Sequence, residues 1–342
     1  MRKLGGRAIV LGAGMAGLFT ARVLSEAYDQ VTLIERDVLP PPGQCWPEGT
    51  TLLSSRGDSI PPDPPGVPPA RARRGIPQGR HAHVLMPRGT QLLGELYPGI
   101  VQQMVADGAV LAEPLVDFRL RVNGHVLRKV PIGSPAVQAS RPFLEGHVRD
   151  RVRAWPAVDI IDGCDVVGLQ TTAGSQRVCG VRVIRRAPGS AEEILSADLV
   201  VDAMGRGGRT PAWLAACGFP RPHEQEFRVA VAYASRYLRL PPDARGIEKM
   251  VGIGPVPGCP RGMMMIAVEG GRRLLTLAGY GGEHRPPVDA EGFLAFAATV
   301  APPDVLAAIR AAEPLSEIAA HRYPCYLRRH YQRLRRFRSA CW

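Results

Sequence analysis

Residues 7–35 read RAIVLGAGMAGLFTARVLSEAYDQVTLIE, and this stretch decides the expected fold. Residues 7–11 form a short apolar run that is typical of a buried strand, and residues 31–35 form a second such run. Between them, three glycines lead into residues 15–27, where apolar side chains recur at helical spacing. The stretch therefore predicts a strand, a glycine-rich turn, a helix and a second strand within about 30 residues.

The turn has the spacing Gly-x-Gly-x-x-Gly at Gly12, Gly14 and Gly17. The first glycine permits a tight turn, the second lets a diphosphate approach the backbone, and the third allows the helix to pack closely on the strand. Glu35 ends the second strand, where an acidic side chain accepts hydrogen bonds from ribose hydroxyls. We therefore predict a dinucleotide-binding Rossmann unit; the alternative is a structural turn with Glu35 as a surface charge. The predicted cofactor contacts of this unit are Gly12, Ala13, Gly14, Met15, Ala16, Gly17, Glu35 and Arg36.

Composition limits the remaining function classes. The 342 residues leave room for one large domain or two ordinary ones, and the formal net charge is +12. The arginines are scattered and no recognised nucleic-acid motif accompanies them, so no nucleic-acid partner is expected. The densest basic group, residues 328–338, is predicted to be a solvated helix face. No apolar run approaches the roughly 20 residues of a membrane span, and the predicted location is cytoplasmic.

The cysteines and histidines give no metal signal. The seven cysteines are an odd number and none stand at Cys-x-x-Cys spacing, so neither a disulfide framework nor a zinc site is predicted. His81 and His83 would share one side of an extended segment, but no third ligand is evident, and we predict no metal.

Residues 38–77 contain eleven prolines and are predicted to form a long extended or disordered loop.

Three later segments carry a resemblance to a known family. Residues 79–85 read GRHAHVL, residues 140–145 read SRPFLE, and residues 198–211 read DLVVDAMGRGGRTP. In this order they resemble the flavoprotein monooxygenases of the para-hydroxybenzoate hydroxylase type, and more closely the polyene epoxidases of polyether-antibiotic biosynthesis. The similarity continues through residues 233–236 and 268–280, so it covers most of the chain.

The resemblance implies an α/β fold in which a Rossmann-like FAD-binding domain, with a mixed parallel sheet, is interleaved with an antiparallel β-sheet substrate domain. The expected divisions are a first FAD-binding segment at 1–110, a substrate-domain hairpin at 111–135, a second FAD-binding segment at 136–220, the substrate sheet at 221–325, and the start of a C-terminal FAD segment at 326–342. Residues 227–239 and 263–280 would form the substrate wall. Within it, Met263, Met264 and Met265 either line an apolar pocket or pack as ordinary core.

The resemblance also implies further cofactor contacts. These come from Arg80, His81, His83, Arg141, Asp202 and Gly205. Arg80 and Arg141 would pair with phosphate oxygens, and the alternative for each is a surface salt bridge.

The implied activity is FAD-dependent monooxygenation, by epoxidation or hydroxylation of an apolar polyketide- or isoprenoid-like or aromatic substrate through a flavin C4a-hydroperoxide. Oxygen is the co-substrate, and the electrons come from transiently bound NADPH or NADH or from a partner flavin reductase. No catalytic side chain is assigned. The alternatives are a flavin-dependent dehydrogenase or prenyl reductase, and a catalytically inactive FAD-binding remnant. A halogenase is disfavoured because no Trp-x-Trp-x-Ile-Pro string occurs.

One family motif has no counterpart in the sequence. It is a Gly-Asp pair followed by a proline and further glycines, and it would come just after a segment like residues 331–337. The resemblance therefore implies that the chain lacks roughly the last quarter of a typical member, including this second flavin motif.

Overall fold

The computed structural model describes residues 3–42, 73, 76–175 and 177–334. The predicted proline-rich loop lies largely outside these ranges. The helices are α1 (Met15–Ala27), α2 (Pro87–Leu96), α3 (Ile100–Ala106), α4 (Pro114–Asp117), α5 (Arg141–Arg153), α6 (Thr210–Ala216), α7 (Ala290–Ala298) and α8 (Pro303–Ala311). The strands are β1 (Gly5–Leu11), β2 (Tyr28–Ile34), β3 (Val84–Leu85), β4 (Val110–Ala112), β5 (Phe118–Val122), β6 (His125–Val126), β7 (Ala136–Gln138), β8 (Val158–Ile161), β9 (Cys164–Thr171), β10 (Val178–Arg185), β11 (Glu192–Ser196), β12 (Leu199–Asp202), β13 (His223–Arg239), β14 (Met250–Ile253), β15 (Arg261–Val268), β16 (Arg272–Tyr280), β17 (Glu313–Pro314) and β18 (Ala319–His330).

A four-stranded parallel sheet in the order β12-β1-β2-β8 holds the glycine-rich turn at the end of β1. Parallel strands that are covered on both faces are apolar throughout, which explains the run of fully buried residues that ends β1. Helix α1 packs on one face through Leu18 and Ala21, against Ala8 and Val10. The predicted strand, turn, helix and strand are therefore confirmed.

The other face of this sheet is covered by the three-stranded antiparallel sheet β11-β10-β9. Ile9, Leu11 and Val200 from the parallel sheet share one core with Val181 and with Trp213 of α6. This second layer fixes the position of the turn that follows β12.

The largest sheet has the order β17-β13-β16-β15-β14-β5-β6, and β18 also pairs with β13. All its pairs are antiparallel except β14 with β5, so the expected α/β fold with a separate antiparallel sheet is confirmed. Helices α7 and α8 cover one face, where Met263 and Met265 lie in the core with Phe293. Met264 projects from the opposite face and packs with a different cluster, which includes Ala82. Core packing, the plainer of the two predictions, therefore holds for Met263 and Met265.

The helix predicted for the basic group is wrong for residues 328–330. They end β18, which pairs with β13 along most of its length and crosses the expected division at residue 325. Arg329 meets Glu224 of the neighbouring strand at 2.8 Å, a cross-strand ion pair that a run of arginines does not reveal in the sequence. Residues 335–338 of the group lie outside the described ranges of the chain.

Turn and capping residues explain two local features of the fold. The hairpin after β5 turns at Asn123-Gly124, and both residues have positive φ, as a two-residue type I′ turn requires. Ser140 caps the N-terminus of α5, and its hydroxyl accepts a hydrogen bond from Phe143 N at 3.3 Å.

None of the helices in the described ranges combines the length and the apolar character needed to cross a membrane.

Candidate functional site

The three glycines of the first turn meet different surroundings. Gly12 has φ of 95°, and a Cβ on Gly17 would lie 1.8 Å from the Gly12 carbonyl oxygen, so the turn and the helix touch there. A Cβ on Gly14 would meet no atom within 4 Å. Gly14 also caps α1 without any side-chain hydrogen bond to the first turn. The helix N-terminus thus faces open space with amides available to an anion, an arrangement that suits a diphosphate.

Glu35 lies beside this turn with only 8% of its surface exposed. Its Oε2 accepts a hydrogen bond from Ala13 N at 2.8 Å, and its Oε1 accepts one from Asp37 N at 2.9 Å. Burial alone would raise the pKa of Glu35, but the Arg73 guanidinium and the two amides outweigh it and hold the pKa below its ordinary value. The carboxylate is therefore an ionised acceptor beside the turn, where the sequence predicted a ribose ligand.

Arg73 joins Glu35 to helix α5. Its guanidinium forms an ion pair with Glu35, and Nη1 donates to Glu145 Oε1 at 2.6 Å and to the Ala13 carbonyl oxygen at 2.9 Å. The Arg73 side chain is 10% exposed and that of Glu145 is 4% exposed, so the cluster is almost fully removed from water. One cation thus holds two buried carboxylates and the glycine turn together.

Sequence reasoning missed both Arg73 and Glu145. Arg73 stands in the series Arg71-Ala72-Arg73-Arg74 of a proline-rich stretch, and no spacing or pattern separates it from its neighbours. Glu145 is the last residue of the SRPFLE string, so its place in that string was the one available signal.

The arginines predicted to contact the cofactor are not equivalent. Arg141 opens α5, and its Nε lies 3.4 Å from Glu145 Oε2, so it belongs to the same cluster. Arg36 is half exposed, with its Nε 3.8 Å from Asp37 Oδ1. Arg80 is exposed at the end of a short 3-10 turn that packs against α5 and β18.

His81 turns towards the antiparallel sheet. Its imidazole is buried, and Nδ1 lies 2.7 Å from Ser235 Oγ on β13. Ser235 Oγ is in turn 2.7 Å from Thr276 Oγ1 on β16, and Thr276 accepts a hydrogen bond from Ala82 N at 2.9 Å. His83 Nδ1 is 2.8 Å from the carbonyl oxygen of His81. Burial, with a smaller contribution from the nearby Arg141, lowers the pKa of His83. The segment 81–83 thus connects the surroundings of Arg141 with the sheet.

Aromatic rings surround His81. Its ring centroid lies 5.9 Å from that of Tyr233 and 5.8 Å from that of His321. Tyr323, two residues along β18, lies under the Arg206 guanidinium at 4.7 Å, which links the sheet to the turn after β12. Burial, with smaller contributions from His321, His83 and Arg80, lowers the pKa of His81 to about 4. The imidazole is therefore neutral at physiological pH.

Asp202 holds the turn that follows β12. Its Oδ1 accepts a hydrogen bond from Met204 N at 2.8 Å, and the Thr210 hydroxyl donates to its Oδ2. Gly205 has φ of 63°, and a Cβ there would meet nothing within 4 Å. Asp202 therefore shapes the turn, and Gly205 presents the backbone to open space.

A cavity of about 230 Å³ adjoins this turn. It lies on the face of the parallel sheet that is turned away from α1, and mostly apolar side chains line it. Its lining includes Leu11, Val200, Asp202, Leu214, Arg329 and Tyr331. Among the residues that the structure describes, no group of three or more His, Cys, Asp or Glu side chains is placed to hold a metal ion.

Comparison with known proteins supports the fold. No protein-family model matches the chain. Protein Rv3254 of Mycobacterium tuberculosis is 36% identical, over 96% of this chain, and the chain spans 65% of that relative's length. The flavin-dependent brominase Bmp2 superposes with a TM-score of 0.64 at 13% identity, covering 98% of this chain and 70% of that one. PqsL, a probable FAD-dependent monooxygenase from Pseudomonas aeruginosa, gives 0.62 at 12% identity, covering 94% and 73%. The chain thus has the fold of FAD-dependent monooxygenases and halogenases.

Proposed function

We propose that this chain binds FAD at the turn before α1 and is an FAD-dependent monooxygenase. The observation that carries the proposal is the open space at Gly14, with the Glu35 carboxylate 2.8 Å from the neighbouring Ala13 amide. A diphosphate needs the first feature and the adjoining ribose needs the second. The shared fold supports the choice of FAD, because the structural relatives are flavin-dependent proteins.

The residues at the site fit the chemical groups of FAD. In the proposal, the amides that begin α1 receive the diphosphate, Glu35 accepts from the ribose, and Arg141 supplies positive charge nearby. Arg73 pairs with both Glu35 and Glu145 and so holds Glu35 in place. In the proposal, Gly205 and the residues around His81 would lie on the flavin side of the cofactor.

FAD supplies the redox chemistry when bound, with O₂ as co-substrate. The role of the protein is to orient the substrate and to exclude water. The buried sheet face around Tyr233 and Ser235 suits an apolar substrate, and we propose epoxidation or hydroxylation of a polyketide- or isoprenoid-like or aromatic compound. NADPH or NADH, used directly or through a flavin reductase, is the proposed source of electrons.

Cofactor binding is tested by titrating flavin-free protein with FAD and measuring bound flavin by equilibrium dialysis. We expect saturable binding at one FAD per chain, and we expect Gly14→Val to abolish it, because the valine side chain would fill the space proposed for the diphosphate. Gly246→Val provides a control at a second open glycine without a positive φ, in the loop before β14. Wild-type protein that shows no saturable binding would refute the proposal.

The reaction type is tested with ¹⁸O-labelled O₂ once a substrate is found among polyenes and phenols. A monooxygenase incorporates one labelled atom into the product. Turnover without oxygen, or an unlabelled product, would support the flavin-dependent dehydrogenase or reductase instead.

A further inference from the structure

Strand register places a row of polar and aromatic side chains on one face of the large sheet. Ser235 lies opposite Thr276 of β16, and Tyr233 lies opposite His321 of β18. Residues two apart on a strand share a face, so Tyr233 and Ser235 point to the same side. The ring distances and the hydrogen bond to Ser235 put His81 over this face as well.

The hydrogen-bond chain determines which nitrogen of His81 carries the proton. Thr276 Oγ1 already accepts a hydrogen bond from Ala82 N. Within the described residues, Ser235 Oγ is the one acceptor that the Thr276 hydroxyl can reach. If Thr276 donates to Ser235, the Ser235 hydroxyl is free to donate to His81 Nδ1. In this arrangement both hydroxyl protons are used and His81 carries its proton on Nε2. The reverse arrangement, in which His81 Nδ1–H donates to Ser235 and Ser235 donates to Thr276, would leave the Thr276 hydroxyl proton without an acceptor among the described residues, so the first is favoured.

The Nε2–H group has no protein acceptor among the described residues. In an imidazole the two nitrogens point in widely different directions, so with Nδ1 directed at Ser235 the Nε2–H points away from the sheet. Tyr233 and His321 flank the ring on that face. The donor is thus fixed in direction and available to a ligand.

We propose that His81, rather than contacting the cofactor, donates a hydrogen bond from Nε2 to an oxygen atom of the substrate, and that Ser235 and Thr276 are positioning residues that fix its tautomer. This inference rests on the proposed function, because that function makes the sheet face the substrate side of the flavin. The ligand it recognises is a neutral, mainly apolar compound with one hydroxyl or carbonyl oxygen. A neutral imidazole is a suitable donor to an oxygen of this kind. A carboxylate on the ligand would instead be paired with an arginine.

The first test is the tautomer itself, measured by NMR on protein with ¹⁵N-labelled histidine. The chain has eight histidines, and His81 is assigned by the signal that disappears in His81→Gln. We expect an unprotonated Nδ1 and a protonated Nε2 at pH 7. A proton on Nδ1 would overturn the proposal.

The second test compares two probes of nearly equal shape, phenol and toluene, of which only phenol has an oxygen. Affinities are read from the shift of the His81 Nε2 signal or, in variants that lack it, from isothermal titration calorimetry. In His81→Phe we expect the phenol-to-toluene preference to fall about five- to tenfold with toluene binding retained, the scale of one hydrogen bond. An unchanged preference would overturn the proposal.

The positioning role is tested with two matched variants at one site. Ser235→Ala should lose much of the phenol preference, and Ser235→Thr, which keeps a hydroxyl, should restore it. A purely structural role would lower the affinity for both probes equally, and that result would contradict the assignment. Circular dichroism melts identify any variant that is unfolded.

These outcomes are separate from those that test FAD binding. Protein that has the Nε2–H tautomer and the His81-dependent preference, but does not bind FAD, would contradict the proposed function and leave the role of His81 intact. Protein that binds FAD but lacks the His81-dependent preference for phenol would contradict the role of His81 and leave the proposed function intact.

Discussion

At the scale of single residues, the glycine spacing predicted the tight turn at Gly12 and the close helix packing at Gly17, and both are confirmed. The structure adds what each position tolerates, because a Cβ at Gly17 collides with the Gly12 carbonyl oxygen whereas a Cβ at Gly14 meets open space. The role of His81 could not be predicted in the same way. Its partner Ser235 lies 154 residues away, and only strand pairing brings the two together.

The two glycines allow a paired experiment with alanine. Gly14→Ala should leave the urea unfolding midpoint within error of wild type, since nothing lies within 4 Å of the new methyl group. Gly17→Ala should prevent folding or cost several kcal/mol, because the backbone atoms in contact cannot move aside as a flexible side chain would. Equal stability of the two variants would contradict the described packing of α1.

Stability should depend on pH through His81. Its folded-state pKa of about 4 lies below the ordinary value near 6.5, so between these values the unfolded chain binds the extra proton. The stability that the neutral His81 gives the folded state is fully present above about pH 6.5. It is lost as the pH falls towards 4, by about 3 kcal/mol in total. We expect His81→Gln to flatten this region of the curve of unfolding free energy against pH, measured with urea. The pKa of His83 is also lowered, so some slope should remain.

At the scale of elements, local pattern predicted the helices and strands whose periodicity is strong. The bounds of α1 agree with the prediction. Local pattern predicted neither β14 nor β18, for different reasons. β14 is only four residues long, and no strand was predicted there. The C-terminal end of β18 is rich in arginine, and its extended form depends on pairing with β13, a long-range contact that local pattern does not contain.

Arg73 joins the end of β2, the turn before α1 and helix α5, so its removal should affect more than one element. Arg73→Gln would leave Glu35 and Glu145 buried without their shared cation. We expect a loss of about 3–5 kcal/mol in unfolding free energy, the range for breaking a buried ion pair. Arg36→Gln, at a half-exposed neighbour of Glu35, is the control and should change stability by less than about 1 kcal/mol. A similar small effect at Arg73 would show that the buried cluster is not stabilising.

At the scale of the whole molecule, residues 77–83 connect helix α5 with the large antiparallel sheet. Residues 77–80 pack against α5, and residues 81–82 are hydrogen-bonded to β13 and β16. The sequence resemblance implied two interleaved units, but not which side chains join them. That information resides in contacts between segments far apart in the chain.

Bound FAD should stabilise the entire fold if it binds only the native state. At a free concentration of about 100 times Kd, the gain is roughly 2.7 kcal/mol. In differential scanning calorimetry we expect the melting temperature of the wild type to rise with FAD concentration and that of Gly14→Val to stay constant. A parallel rise in both proteins would mean that the stabilising site lies elsewhere.

Strand β13 has two unlike halves. Residues 231–235 are hydrogen-bonded to β16 on one edge and to β18 on the other, whereas residues 223–228 pair with β18 alone. The halves meet at a bulge where Ala230 has φ of 44°. A two-stranded ribbon is marginally stable by itself, so it should open without the rest of the sheet. Amide protons in residues 223–228 should therefore exchange with deuterium many times faster than those in 231–235, and a uniform rate along the strand would mean that both halves open together.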